Sequence, residues 1–250
     1  MVKINQVIKE YKGQVAVGPI NLDIPKPGIT SIIGPNGAGK STLLMMIGRL
    51  LEMDGGSISV GGTDLSTGKS SELAQHLAIL RQENHFSTRL TVRQLVSFGR
   101  YPYSKGRLNG EDYAIIDRYL SFLHLGDLAD RYLDELSGGQ RQRAYVGMVL
   151  AQETDYILLD EPLNNLDIEH SVQMMKHLRR IADEFQRSII LVMHDLNFTA
   201  RYSDYICAMC QGQITHWGSV DQVMTTEVMS EIFSCEIEIV QALCGPVVIY

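Results

Sequence analysis

The sequence has no surplus of positive charge. Lys and Arg total 22 against 29 Asp and Glu, for a formal net charge of -7. Broad nucleic-acid binding rests on Lys and Arg meeting phosphates, so this balance argues against it, though a local basic patch stays open. No apolar run is long enough to span a bilayer: Ala144–Ala151 falls far short of the ~18 residues a spanning helix needs. Any role at a membrane is therefore expected to come through a partner. The opening Met1-Val2-Lys3-Ile4-Asn5-Gln6 leads into alternating strand and not a signal peptide, so the protein is expected to stay where it is made. Aromatics are few, at 7%, and nothing in the composition points to disorder. Cysteine is sparse too: Cys207, Cys210, Cys235 and Cys244. Cys207 and Cys210 form a C-x-x-C, a pattern that redox and metal sites use. Here it sits in a strand-like run, where residues three apart point to opposite faces. No second C-x-x-C completes a zinc site. All four are expected to be reduced thiols.

What remains is 45% hydrophobic over 250 residues, enough for one core with room for an inserted lobe. Strand patterns run over Val2–Val7, Val15–Ile24, Ile29–Ile33 and Ser57–Val60, with Gly and Pro between them. A helix is expected from Lys40 to about Leu51, and a buried strand over Leu77–Arg81. From about Thr91 to Tyr132 the period turns helical, as in Ile115, Ile116, Tyr119, Leu120 and Leu123. That change marks a helical subdomain, about residues 85–150, inserted in a single 1–250 domain. Strand Tyr156–Leu159, helix Glu169–Glu184, strand Ser188–Met193 and a helix from about Leu196 to Tyr202 restore the α/β texture. Glu236–Ala242 and Pro246–Tyr250 suit a terminal hairpin, about residues 236–250. Strands alternating with helices predict a mainly parallel, helix-covered sheet.

Gly34-Pro35-Asn36-Gly37-Ala38-Gly39-Lys40-Ser41 fits G-x-x-x-x-G-K-[ST] without mismatch, after a strand and at the start of a helix. Gly37 and Gly39 remove side chains that would block close approach. The loop N–H groups then point at phosphates, and the helix N-terminus adds positive dipole. Lys40 pairs with the β- and γ-phosphates, Ser41 offers a hydroxyl to Mg²⁺, and Thr42 reaches the α-phosphate region. Asp160-Glu161 closes the apolar strand Tyr156-Ile157-Leu158-Leu159. Asp160 there suits Mg²⁺, and Glu161 is placed to orient or deprotonate an attacking water. The plainer alternatives are a Gly-rich turn and two solvated carboxylates. The fold class expected is an α/β P-loop NTPase core with an N-terminal antiparallel β subdomain and the helical insertion.

Leu136-Ser137-Gly138-Gly139-Gln140 narrows the class. Small residues at a helix N-terminus make a second anion site, with backbone N–H groups and the Ser137 hydroxyl left free. In this stretch the sequence resembles the ABC ATPase family, whose signature is L-S-G-G-Q; a capped helix start is the plainer reading. The resemblance spans Tyr11 to about Gly218. It implies that Ser137, Gly138, Gly139 and Gln140 cap the nucleotide held by a second copy of the chain. It implies roles for Gln82, at the junction with the helical insertion, which touches Mg²⁺ or water. Arg81 stands before it where the family often has Pro. His194, 33 residues past Glu161 (194 − 161), matches the switch histidine that meets the γ-phosphate. Leu163-Asn164-Asn165-Leu166-Asp167 matches the D-loop at the dimer seam, though Asp167 also suits a helix start. Tyr11, 23 residues before Gly34 (34 − 11), matches the aromatic that stacks on adenine.

By the same resemblance, ATP and Mg²⁺ bind, two copies close on two ATP molecules, and hydrolysis at Glu161 reopens them. The partners implied are a transmembrane permease, docked near Gln82–Tyr103, and indirectly a substrate-binding protein. The location implied is the cytoplasmic face of the inner membrane, peripheral, with membrane contact only through the permease. Thr91–Tyr103 and the run Glu161–Asp167 followed by His170-Ser171-Val172-Gln173 resemble ATPases of bacterial iron(III)–siderophore importers. Haem and cobalamin importer ATPases share much of that pattern. A soluble, non-transport ABC ATPase is a different class; such proteins usually fuse two units or carry coiled-coil arms, and this chain has one unit and no arms. A small P-loop kinase would have no use for Ser137–Gln140, and a non-hydrolysing module no use for Glu161 and His194.

Overall fold

Three short runs, Gly28–Ile33, Tyr156–Asp160 and Ser188–Val192, are buried along their whole length. Strands covered on both faces read as continuous apolar runs and belong in the middle of a parallel sheet. The computed structural model, which describes residues 1–81, 88–164, 166–242 and 245–250, places them there. In chain order the strands are β1 Val2–Tyr11, β2 Gln14–Ile24, β3 Gly28–Ile33, β4 Gly55–Val60, β5 Thr63–Asp64, β6 Leu77–Leu80, β7 Tyr156–Asp160, β8 Ser188–Val192, β9 Tyr205–Cys210, β10 Gln213–Ser219, β11 Glu238–Ala242 and β12 Gly245–Ile249. The helices are α1 Lys40–Ile47, α2 Ser70–His76, α3 Val92–Ser97, α4 Tyr101–Ser104, α5 Gly110–Phe122, α6 Gly138–Ala151, α7 Ile168–Glu184, α8 Leu196–Tyr202, α9 Val220–Val223 and α10 Thr226–Phe233.

The main sheet has the order β10-β9-β3-β8-β7-β6, parallel from β9 through β6, with β10 antiparallel at the edge. An antiparallel sheet of order β2-β1-β4-β5 packs over one face. The side chains obey the strand period of two. Ile32, Leu158, Ile190, Val192 and Cys207 meet α1 and the antiparallel sheet in one core. Ile29, Ile33, Leu159, Leu191 and Ile206 meet α7 and the helices between β6 and β7 in the other. Cys207 is fully buried, which pushes its thiol up to about 12. Cys207, Cys210 and Cys235 carry free thiols; Cys244 lies outside the described residues.

Two expectations need correction. Helix α1 ends at Ile47 and not near Leu51, because Gly48 closes it and Arg49 takes a left-handed φ of 56°. The stretch from Thr91 to Tyr132 is not evenly helical: α3, a 3-10 turn at Phe98–Arg100, α4 and α5 follow in short pieces. Arg100 binds them together. Its guanidinium donates to Asp112 Oδ1 on α5 and to the Ala151 carbonyl at the end of α6, both at 2.9 Å. Asp112 also caps the α5 turn with Asn109, and these bonds hold its carboxyl below the usual range. At the C-terminus β11 and β12 pair antiparallel, and the Asn197 amide on α8 grips the Val248 backbone from both sides. Among the described residues, no helix is long and apolar enough to cross a membrane.

Candidate active site

The loop after β3 turns back so sharply that a side chain is excluded at its first residue. Gly34 has φ 142°, and a Cβ there would lie 2.0 Å from the Met209 carbonyl oxygen. Gly39 ends the loop with φ 95° and starts α1 without any side-chain cap. The N–H groups of that first turn face outward from the helix end, where the dipole is positive. Lys40 is buried and curls over the loop, donating to the Gly34 and Pro35 carbonyls at 2.8 and 2.9 Å. Burial lowers its affinity for a proton, and Glu161 and Asp160 nearby raise it again. Gly212 N donates to the Ala38 carbonyl, tying the loop to the β9–β10 turn.

Asp160 closes β7 and is 5% exposed. Burial pushes its carboxyl up, against the Ser41 hydroxyl, which donates to Oδ1 at 2.9 Å. Glu161 follows with a left-handed φ of 50°, uncommon for a residue with a side chain. That twist turns its carboxylate off the sheet toward β8. There His194 Nε2 lies 2.6 Å from Oε1, and the Asn164 amide donates to Oε2. A carboxylate only accepts, so His194 Nε2 carries the hydrogen. Glu161 and His194 stand 33 residues apart in sequence and meet because β7 and β8 are neighbours.

One cavity of about 320 Å³ collects most of the expected residues: Tyr11, Asn36, Gly37, Ala38, Gly39, Lys40, Ser41, Thr42, Glu161 and His194 line it, with Ala16 and Val17. Gly34, Pro35 and Asp160 adjoin it through Lys40 and Ser41. Tyr11 is half exposed at the rim, with the Lys9 ammonium 5.7 Å from its ring centre. The cavity offers N–H groups, an ammonium, a hydroxyl, two carboxylates and an imidazole, a set suited to a phosphate chain and the water that attacks it. Gln82 lies outside the described residues.

Ser137, Gly138, Gly139, Gln140 and Asp167 are not among the residues lining this cavity. They sit at the starts of α6 and α7. The sequence predicts a free Ser137 hydroxyl, but its oxygen is engaged within the chain. Its oxygen accepts the Gln140 N–H at 3.2 Å, and Gln140 Oε1 accepts the Ser137 N–H at 3.0 Å. The S-x-x-Q spacing of a capping box explains the difference. Asp167 caps α7 through the His170 N–H at 2.8 Å. Two contacts were not anticipated: Asn164 on Glu161, and Gln142 Nε2 on the Pro162 carbonyl at 3.1 Å, which links α6 to the loop after Glu161. The i, i+3 spacing of Glu161 and Asn164 in a Pro-containing turn is the signal that could have found the first.

The oxygen-only pair of Ser41 and Asp160 suits Mg²⁺, a hard ion content with one or two protein ligands when phosphates supply the rest. No cluster of three or more His, Cys, Asp or Glu fit to hold a metal occurs among the described residues.

The family model described as ABC transporter matches residues 17–164. The chain is 62% identical to the petrobactin import ATP-binding protein FatE of Bacillus anthracis, over 100% of both chains. It is 49% identical to the petrobactin import ATP-binding protein YclP of Bacillus subtilis (strain 168), covering 96% of this chain and 95% of that one. Against the ferric enterobactin transport ATP-binding protein FepC of Escherichia coli (strain K12) it is 37% identical, covering 86% and 80%. Among solved structures, a dimeric post-hydrolysis state of an ATP-binding cassette bound to ADP and Pi superimposes with TM-score 0.79, at 28% identity, over 88% of this chain and 99% of that one.

Proposed function

The chain belongs to the ABC transporter family as an ATP-binding, ATP-hydrolysing subunit, and on that premise we propose that it energises import of an iron(III)–siderophore complex. The observation that supports the catalytic reading is the Glu161 carboxylate, held between His194 and Asn164 at the cavity that the Lys40 loop lines. The cargo reading rests on the full-length likeness to petrobactin import proteins.

ATP is the substrate. The α1 N-terminus and the loop N–H groups cradle its phosphates, Lys40 leaves its two carbonyls to meet the outer ones, and Tyr11 offers a face to adenine. Ser41 and Asp160 would hold Mg²⁺, which neutralises charge on the phosphate chain when bound. Glu161 accepts the proton of the attacking water as its oxygen bonds to the γ-phosphorus and the bond to the bridging oxygen breaks, releasing ADP and phosphate. His194 keeps the carboxylate aimed throughout.

The cavity holds one phosphate chain, and Ser137–Gln140 stands apart from it on the same chain. The arrangement we propose is a pair of chains, each offering Ser137–Gly139 and the Asp167 loop to the ATP on its partner's loop. ATP binding closes the pair because the nucleotide meets both chains only when closed. A permease couples that closure to transport and holds this subunit at the cytoplasmic face of the membrane; a substrate-binding protein delivers the cargo. The test is growth on ferric petrobactin as sole iron source after deletion of the gene. Loss of growth, restored by the wild-type chain and not by Lys40→Ala, is expected. Normal growth in a strain with no second such ATPase overturns the cargo.

A further inference from the structure

The first turn of α7 carries an imidazole that the chemistry above does not use. Asp167 Oδ1 accepts the His170 N–H, and the same oxygen lies 2.7 Å from His170 Nδ1. The carboxylate can only accept, so Nδ1 bears the hydrogen. The backbone bond first, then the imidazole bond, holds the Asp167 carboxyl below its usual range. The far side of the ring meets α6: a Cβ on Gly139 would lie 3.4 Å from His170 Cγ and 3.4 Å from Leu166 Cδ2. His170 thus stands between the signature turn and the Asp167 loop.

A helix cap does not require this second bond. Asp195 caps α8 through the Phe198 N–H at 2.9 Å, with no ring reaching back. In α7 both bonds fall on Oδ1, yet the Asp167 side chain is 65% exposed, so the carboxylate is fixed in orientation and open to the outside. Ile168, the next residue, is 80% exposed, the most of any large apolar side chain among the described residues. On the paired-chain reading above, this oriented carboxylate and the bare isoleucine beside it belong to the face that a second copy covers.

We propose that His170 is a positioning residue for contact between two copies of this chain: its imidazole fixes the Asp167 carboxylate against the first turn of α6, so that both motifs meet the partner as one body. The inference rests on the paired-chain reading above. Without the ring, Asp167 keeps its cap but swings independently of Gly139, and the partner must order it on closure.

The experiment measures ATP-driven dimerisation of Glu161→Gln by sedimentation over a range of protein concentrations. In that background His170→Ala weakens the dimer by about tenfold, the value of one bond to a charged group. His170→Asn, whose amide donates to the same oxygen, returns to within about twofold, and His170→Leu, similar in bulk without a donor, does not. Binding of ATP to the monomer is unchanged in all three. Adding His170→Ala to Asp167→Ala weakens the dimer no further. Dimerisation of His170→Ala equal to its parent overturns the inference, as does equal weakening by Asn and Leu. A parent that stays monomeric with ATP bound overturns the paired-chain reading, and this inference with it.

Discussion

Two helices in this chain start with small residues and a hydroxyl, and they finish their first turns in opposite ways. α1 begins at Gly39 with no side chain on its exposed N–H groups. α6 begins at Ser137, whose oxygen and the Gln140 amide close on each other in a capping box. The first helix start is therefore unfinished within the chain and available to phosphate. The second is satisfied within the chain, and what it keeps is the Ser137 hydroxyl hydrogen, since a hydroxyl that accepts can still donate. On the proposed function, the first site grips a ligand by its backbone and the second adds to a grip made elsewhere.

The contrast breaks most severely at Glu161, the group to which the proposed mechanism assigns the proton of the attacking water. Glu161→Gln is expected to lower phosphate release by roughly 10²–10⁴-fold, with ATP binding retained in a filter or fluorescence assay. Normal turnover would remove Glu161 from its assigned role. Lys40→Ala tests the unfinished helix start directly. ATP affinity should fall by about a hundredfold as a buried cation that meets phosphate is lost, and unchanged affinity would refute the cradle.

Acid is expected to weaken the α7 side of the molecule. His177 on α7 packs at 4.8 Å from the Phe122 ring and 5.8 Å from His124, and its Nδ1 has no hydrogen-bond partner among the described residues. Burial first, then His124, Arg180 and Arg143, push its pKa down from 6.5 to about 4. The folded state thus refuses a proton that the unfolded chain takes. Stability is intact above pH 6.5, falls as pH drops toward 4, and loses nothing further from this group below that. The loss is about 3 kcal/mol, read from urea midpoints across that window. His177→Leu should flatten the slope, and a slope unchanged by that substitution would place the acid response elsewhere.

The smallest effect sharpens the comparison most. Ser137→Ala removes a cap worth about 1 kcal/mol and the hydroxyl hydrogen together. A melting point lower by a few degrees, ATP affinity of the isolated chain unchanged, and turnover reduced is the expected combination. A fall in monomer affinity would mean that Ser137 serves its own chain's nucleotide.

Much of this is legible in the sequence. The runs at Ile29–Ile33 and Ser188–Met193 read as strands because β-branched and apolar residues dominate them, with Thr30, Ser31 and Ser188 the only hydroxyls, and α8 spans Leu196–Tyr202 as expected. The loop from Gly34 to Ser41 carries its own geometry in its glycines. What could not be read was adjacency. Nothing in the spacing of Glu161 and His194 says that β7 lies beside β8, or that β3 lies on β8's other side. A side-chain partner chosen by fine turn geometry, such as His170 on Asp167, was hidden as well. The Ser137–Gln140 box was visible as S-x-x-Q, but the same residues matched a phosphate motif, and two uses of one hydroxyl cannot be separated by spacing.

One rung of the main sheet runs through all of this. Ile32 pairs with Val192, and Val192 pairs with Asp160. Just beyond that rung Met193 N donates to the Ile32 carbonyl and Glu161 N to the Val192 carbonyl. Each of the three strands thus delivers its working residues a step or two past a common line: Gly34 from one, His194 from the next, Glu161 from the third. Deleting a single residue within any of them would draw its terminal side chain back by one and turn it to the opposite face. The rung is the reading frame of the site. It tolerates one apolar residue for another inside the strands and tolerates no change in their count.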